Sequence, residues 1–408
     1  MRIARGPMMM AALSVAAIAA TTLSACTAGD SNSGSTTDRS AGLSGEPVVL
    51  GLINAEQGSL TYPDVSIGAR AAVRQVNENG GIGGRPLQLE VCPTNGTAES
   101  TIACAQKMVS QRAVAVLEGY DPTSEAKLAT LAEAGIPIFG TNTIVRSVDV
   151  SPDVTLTSVP WSLSFPAALK ALSERGAKNL VVIGADPGPQ MLEILEKNVG
   201  AAAQALGMTA SLTAYNPGSP NFAAAVSAAQ AKGADSIYLS GNEAACTNGV
   251  RNARSLGFDG SIFVVNCTDY ASELGETAKG VVALAALVPP SAEPTAPDRT
   301  KEDIATYRAA MDSDGADGDA DSFAIYGFSS VMTVSDVLRS VDGPITAQTA
   351  SPAVKAFKGD VFLGQAGVDC TQRPVPNGGS CGTEMARLEA NGNGGFDMMS
   401  SSFFDVVS

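Results

Sequence analysis

The chain contains no histidine. His-ligated zinc is therefore excluded, as are the Ser-His-Asp and Cys-His nucleophile systems. Chemistry built on Lys, Tyr or carboxylates is untouched by that absence. Positive charge is scarce: 26 Lys and Arg stand against 41 Asp and Glu, giving −15 overall, with no strongly basic stretch. Nucleic acid is excluded as a partner, because its phosphates need clustered Lys and Arg. Electrostatic adhesion to an anionic lipid surface fails for the same reason. Long apolar runs are missing too: after Ala20 no segment is long and apolar enough to span a bilayer.

The first cysteine lies on a border. In "TTLSACTAGDSNSGSTTDRS" (21–40) an apolar run stops at Cys26 and a polar tract begins. Met1–Pro7 carries Arg2 and Arg5 without an acid, Met8–Ala20 is short and apolar, and Leu23-Ser24-Ala25 is a small-residue run. This is the layout of a secretory signal. Leu-Ser-Ala-Cys also resembles the bacterial lipobox, which implies that Cys26 is acylated. The expectation is a signal peptide over 1–25 and a Ser/Thr/Gly tether over 26–45. The mature protein would then sit outside the cytoplasm, on the outer face of the cell membrane, held by lipid rather than by a helix.

About 360 residues remain for folding, which is more than one core usually serves, so two domains are expected. Six further cysteines form an even set in an oxidising compartment. Sequence leaves many pairings open. Nearest neighbours are favoured: Cys92–Cys104, Cys246–Cys267 and Cys370–Cys381. The middle pair has a geometric reason. "DSIYLSG" and "GSIFVVN" read as neighbouring parallel strands, and each cysteine follows one of their carboxyl ends. Neighbouring strands lie roughly 4.8 Å apart, within disulfide reach.

Strand-like and helical patterns alternate almost throughout. "PVVLGLIN" precedes "DVSIGARAAVRQVNEN", "RPLQLEVC" precedes "AESTIACAQKMVS", and "AVAVLEG" precedes "SEAKLATLAEAG". A second series starts at "NLVVIGAD" and runs to "KGVVALAALV". Such alternation, with β-branched strands, gives parallel sheets covered by helices on both faces. The fold class is α/β, with two doubly wound parallel-sheet lobes and a ligand cleft between them.

Three segments are similar to type I periplasmic binding proteins of the leucine/isoleucine/valine-binding group. They are "NENGGIGGRPLQLEVC", "EGYDPTSEAKLATLAEAGIPIFGTNT" (118–143) and "DSFAIYGFSSVMTVSDVL", the last with Phe328 where the group usually has Tyr. The resemblance spans about residues 46–408. It implies a three-strand hinge, with lobe I over 46–158 and 288–359 and lobe II over 159–287 and 360–408. It also implies the substrate-binding component of an ABC transporter. Such a protein captures an amino acid, or a related carboxylate or amide, by hinge closure and delivers it to a permease, without enzymatic activity and without a cofactor or metal.

Ligands of open parallel sheets sit beyond the carboxyl ends of the strands. Tyr120 and Ser124 follow "AVAVLEG", where hydroxyls and exposed N–H groups either cap the next helix or hold a carboxylate. The resemblance places Thr141 and Thr143 at the α-carboxylate and α-amine of an amino acid. Tyr62, Glu56 and Gln57 in the first loop are placed to cover a ligand. In lobe II, Glu243 and Asp269 are candidates for an ammonium. The aromatic residue that amino-acid binders carry after the first lobe II strand is missing from 187–190, which argues against a branched-chain amino acid.

Three other readings compete. Ser124-Glu125-Ala126-Lys127 matches the Ser-x-x-Lys nucleophile motif of penicillin-interacting enzymes, but Ser-Asp-Asn and Lys-Thr-Gly are absent. "MDSDGADGDADS" (311–322) lacks the glycine and final glutamate of a calcium loop in either register. A ligand sensor coupled to a membrane receptor would share fold and tether; neighbouring genes for permeases and ATPases would separate transport from sensing.

Overall fold

The computed structural model describes residues 42–407 apart from Ser59, Leu60, Pro187, Pro217, Asn242, Asn266 and Asp319. The expected signal peptide, most of the tether and Cys26 lie outside the described residues.

Apolar runs three to eight residues long become strands, and those inside the sheets are largely buried on both faces, as parallel sheets require, while the edge strands Leu87–Thr94 and Thr209–Tyr215 are half-exposed. The first five are β1 (Val48–Ala55), β2 (Leu87–Thr94), β3 (Ala115–Glu118), β4 (Ile138–Gly140) and β5 (Val154–Leu156). They form one sheet in the order β2-β1-β3-β4-β5, with every pairing parallel. Helices α1 (Pro63–Glu78), α2 (Ala98–Ser110), α3 (Leu128–Glu133) and α4 (Arg146–Asp149) make the connections.

After α5 (Trp161–Glu174) the plan repeats. The strands are β6 (Asn179–Ala185), β7 (Thr209–Tyr215), β8 (Ser236–Leu239), β9 (Ser261–Val265) and β10 (Val282–Ala285). They interleave with α6 (Pro189–Ala205), α7 (Phe222–Ala231), α8 (Glu243–Ser255) and α9 (Asp269–Leu274). Their order is β7-β6-β8-β9-β10, again parallel. The winding therefore reverses twice in the molecule, between β1 and β3 and between β6 and β8.

The chain then returns to the first sheet with α10 (Asp298–Ser313), α11 (Ala324–Arg339) and α12 (Ala347–Lys355), followed by a hairpin of β11 (Lys358–Gly359) and β12 (Val368–Asp369). It ends on the second sheet, where β13 (Glu384–Ala390) pairs antiparallel with β10 and carries β14 (Phe396–Met398) and β15 (Phe404–Asp405). This is the two-lobed α/β fold expected from the sequence.

Two glycines bring α11 onto α1. A Cβ at Gly68 would lie 1.9 Å from the Ala324 carbonyl, and one at Gly327 would lie 1.9 Å from that of Val65. Only the missing side chains let these backbones approach so closely. In the "GGIGG" turn, Gly81 has φ +63° and a Cβ there would meet the Arg85 carbonyl, while Ile82 is fully buried. The turn follows a helix and leads into β2, so it is a structural corner and not a phosphate cradle.

Three chain segments cross between the sheets. The first runs from Leu156 to Pro160, where Ser158 N–H donates to the Thr141 carbonyl at 2.8 Å. The second is at 287–289, where Val288 N–H donates to the Leu363 carbonyl at 2.8 Å. The third was expected at 359–360. Instead residues 357–381 run on along the first sheet: Gly379 N–H donates to the Asp149 carbonyl, and Cys381 N–H to that of Leu156. Gln365 Oε1 then accepts from Thr383 N–H and Glu384 N–H. The favoured disulfide pairs all form, with Cα separations of 5.6, 6.4 and 4.9 Å for Cys92–Cys104, Cys246–Cys267 and Cys370–Cys381.

Candidate functional site

Both winding reversals face one cavity of about 630 Å³. Doubly wound sheets bind ligands at such switch points. The first sheet supplies Tyr62 and Asp64 from the loop after β1 and the start of α1, Tyr120 from the loop after β3, and Asn142 and Thr143 after β4. The second supplies Tyr238 and Ser240 at the end of β8, Glu243 at the start of α8, and Asp269 at the start of α9. Phe165 of α5 and Phe323 just before α11 complete the walls.

Asn54, fully buried at the end of β1, fixes two of these loops. Its Oδ1 accepts from Tyr120 N–H at 3.1 Å, and its Nδ2 donates to the Tyr62 carbonyl at 2.7 Å. The rings it positions pack with their centroids 5.1 Å apart, and Phe323 lies 4.9 Å from each. On the other wall Phe165 meets Tyr238 edge-on at 5.5 Å. The Tyr120 hydroxyl donates to Asn142 Oδ1. Burial raises Tyr120 well above the usual phenol range and pushes Tyr238 up to about 12.

The acidic side of the cavity is built by backbone donors. Glu243 accepts from Thr268 N–H at 3.0 Å and from Asp269 N–H at 3.1 Å, so it also caps the start of α9. Burial, with the Asp269 charge added, raises Glu243 to about 7 against the opposing pull of these hydrogen bonds. Burial raises Asp269 too, helped by Glu273 and by Asp64 across the cleft. Tyr62 is raised by burial and by Glu243.

Of the residues expected at the site, Tyr62, Tyr120, Thr143, Glu243 and Asp269 line the cavity. Ser124 and Thr141 do not. Ser124 is fully buried: it donates to Glu118 Oε1 at 2.7 Å and accepts from Lys127 Nζ at 2.7 Å. Lys127 in turn lies 2.5 Å from Glu118 Oε2, both side chains fully buried. Thr143 donates to the same Glu118 at 2.9 Å. This buried charge cluster draws 124–127 into a tight 3-10 turn where a helix was expected, with α3 starting only at Leu128. Thr141 faces Ser330 of α11 at 3.4 Å. Glu56 accepts from Ser66 on α1, while the Glu56 and Gln57 N–H groups both donate to the Thr94 carbonyl, so these two residues lie outside the cavity lining.

The Ser-x-x-Lys contact is therefore real as geometry, but the serine is sealed from any acyl substrate. In the acidic 311–322 segment Asp314 pairs with Arg74, and Asp321 accepts from Ser291. Phe165, Tyr238, Phe323 and Asn142 also line the cavity and Asn54 holds two of its loops, none of them marked by the sequence pattern. Tyr238 sits inside an ordinary apolar strand pattern and Phe165 inside an apolar helix, so neither carried a local signal.

Two lobes whose strand ends face one cavity define a cleft-type solute-binding protein. The chain belongs to the family described as periplasmic binding protein, whose profile matches residues 47–381. Similar solved structures share the fold. A leucine-binding protein from Thermotoga maritima is 18% identical, with 88% of this chain and 99% of that one covered and a TM-score of 0.68. A branched-chain amino acid transporter substrate-binding protein from Streptococcus pneumoniae, solved with isoleucine, is 17% identical over 88% and 100% of the chains, TM-score 0.67. A substrate-binding periplasmic protein from Ralstonia solanacearum is 18% identical over 86% and 99%, TM-score 0.69. Among curated proteins none matches the chain.

Proposed function

We propose that this protein captures a small polar solute between its lobes and delivers it to an ABC permease from the outer face of the cell membrane. One observation carries the reading: a cavity of about 630 Å³ at the facing carboxyl ends of two parallel sheets, with contacts drawn from both. A ligand bridging both walls binds the closed form better and shifts the population toward it. Tyr62, Tyr120, Thr143, Glu243 and Asp269 are the expected contacts, joined by Asn142, Phe165, Tyr238 and Phe323. Ser124 and Thr141 act from behind, as positioning residues. Lobe I comprises 46–158 and 288 to about 381, and lobe II 159–287 and the remainder. The bonds between 357–381 and the first sheet support a third boundary near 381 rather than 359.

The Leu-Ser-Ala-Cys border supports acylation of Cys26, which would keep the protein at high local concentration beside its permease. Small-angle scattering across a panel of amines, amino acids and amides tests the capture reading. A ligand is expected to reduce the radius of gyration. An unchanged profile with a tightly bound ligand would refute closure. Cys26→Ala should release the protein into the medium, and mass spectrometry of the wild type should find a fatty acyl group.

A further inference from the structure

Resting on the capture reading, we propose that the solute is an organic cation without a carboxylate: an amine or quaternary ammonium with an apolar or aromatic body. The first observation is what holds the hydroxyls. Ser124 and Thr143 would be the natural donors to a ligand carboxylate, yet both donate to Glu118, whose other oxygen pairs with Lys127. The protein's own carboxylate already occupies those donors.

The second observation is the charge of the lining. Asp64, Glu243 and Asp269 line the cavity, and no Lys or Arg does so among the described residues. A ligand carboxylate would enter among three acidic groups with no cation to meet it, and a partly dry cleft magnifies that repulsion. An ammonium reverses the sign of every one of these contacts.

The third observation is the aromatic surface. Tyr62, Tyr120 and Phe323 form one wall, and Phe165 with Tyr238 forms another. A cation within about 6 Å of ring centroids is attracted by their π faces, and the attraction grows on desolvation. Tyr238 is 9% exposed and lines the cavity. Asn142 and Ser240 remain for a neutral polar group on the ligand.

A cation also relieves the site. Glu243 faces Asp269 and Glu273 from α9, with Asp64 beyond Asp269, and it faces Tyr62, Tyr270 and Tyr326, which stay neutral at physiological pH. Glu243 itself titrates at about 7. A bound ammonium favours its ionised form, so binding weakens as pH falls through that value.

Calorimetric titration of the full chain with four probes tests the assignment: phenethylamine, benzyltrimethylammonium, phenylalanine and 3-phenylpropionate. The first two are expected to bind, phenylalanine at least about tenfold more weakly, and phenylpropionate not at all. Affinity for phenethylamine should drop about tenfold from pH 8 to pH 6. The Glu243→Gln/Asp269→Asn variant should lose at least about tenfold in affinity without a lower thermal midpoint, which separates charge loss from misfolding. Phenylalanine or phenylpropionate binding as tightly as phenethylamine overturns the cation while leaving solute capture standing. Silence from all four probes also overturns it; the scattering panel then shows whether capture falls with it, since compaction by any amino acid would keep that reading.

Discussion

Single residues decide the electrostatics of this cleft. Glu118 and Lys127 form a fully buried pair with Ser124 and Thr143 as hydrogen-bond partners. Removing one partner of such a pair leaves an uncompensated charge, at a cost of about 3–5 kcal/mol. Lys127→Met is therefore expected to be severely destabilised in urea denaturation, and Glu118→Leu/Lys127→Met to recover much of the loss. A double variant no more stable than the single one would show that the pair is not the reason. Glu243 makes a pH prediction whose sign follows from its shift. Its folded value lies near 7, above the ordinary 4.5. Proton binding thus favours the folded state; the advantage is complete below about 4.5 and is lost as pH rises to about 7. Stability should fall across that window by up to about 1.4 kcal/mol per pH unit. The fall should be smaller in Glu243→Gln, measured by denaturation at successive pH values.

At the scale of elements, the contact between α1 and α11 sets one wall of the cavity. Gly68 and Gly327 let the two backbones touch, which carries Phe323 and Tyr326 to the rings of Tyr62 and Tyr120. A side chain at 327 must push the helices apart, because its nearest neighbour is backbone and cannot yield cheaply. Gly327→Val should cost about 1–3 kcal/mol as overpacking and weaken ligand binding together with stability. Gly343, whose Cβ would meet nothing, provides the control: Gly343→Asn, tolerated at its positive φ, should change little. Equal midpoints for the two variants in thermal denaturation would contradict the close-contact account.

Across the whole molecule, three crossing segments join the two sheets, and the proposed closure turns on them. The third is tied to the rim of the first lobe by Cys370–Cys381, immediately before Gln365 bridges to Thr383 and Glu384. Cross-linking a loop of this length contributes about 3 kcal/mol by restricting the unfolded chain. Cys370→Ser/Cys381→Ser is expected to lower the thermal midpoint by about 5 °C or more. Scattering should show a broader spread of open shapes in the ligand-free variant. An unchanged midpoint would mean that backbone bonds such as Gly379 N–H to Asp149 fix this segment unaided.

The sequence alone determined the repeating strand–helix order, the two series of strands and the loops that bear Tyr62, Tyr120, Glu243 and Asp269, while the cysteine pairs it favoured were fixed only by the fold. Each feature read from sequence alone is a local property: a period of apolar residues, or a residue placed just after a strand. Tertiary structure decided which of those residues face the cavity. Ser124 and Thr143 were both legible as hydroxyls after strands. That both hydroxyls donate to Glu118, with Ser124 withdrawn from the cavity and Thr143 still at its wall, depends on how the 124–127 turn and the loop after β4 pack, which no local pattern encodes. Phe165, Tyr238 and Phe323 looked like core residues because apolar periodicity is the same for a core and for the wall of a cleft. They line one cavity only because two sheets of identical winding place their reversal points face to face, across more than 150 residues of chain between Phe165 and Phe323.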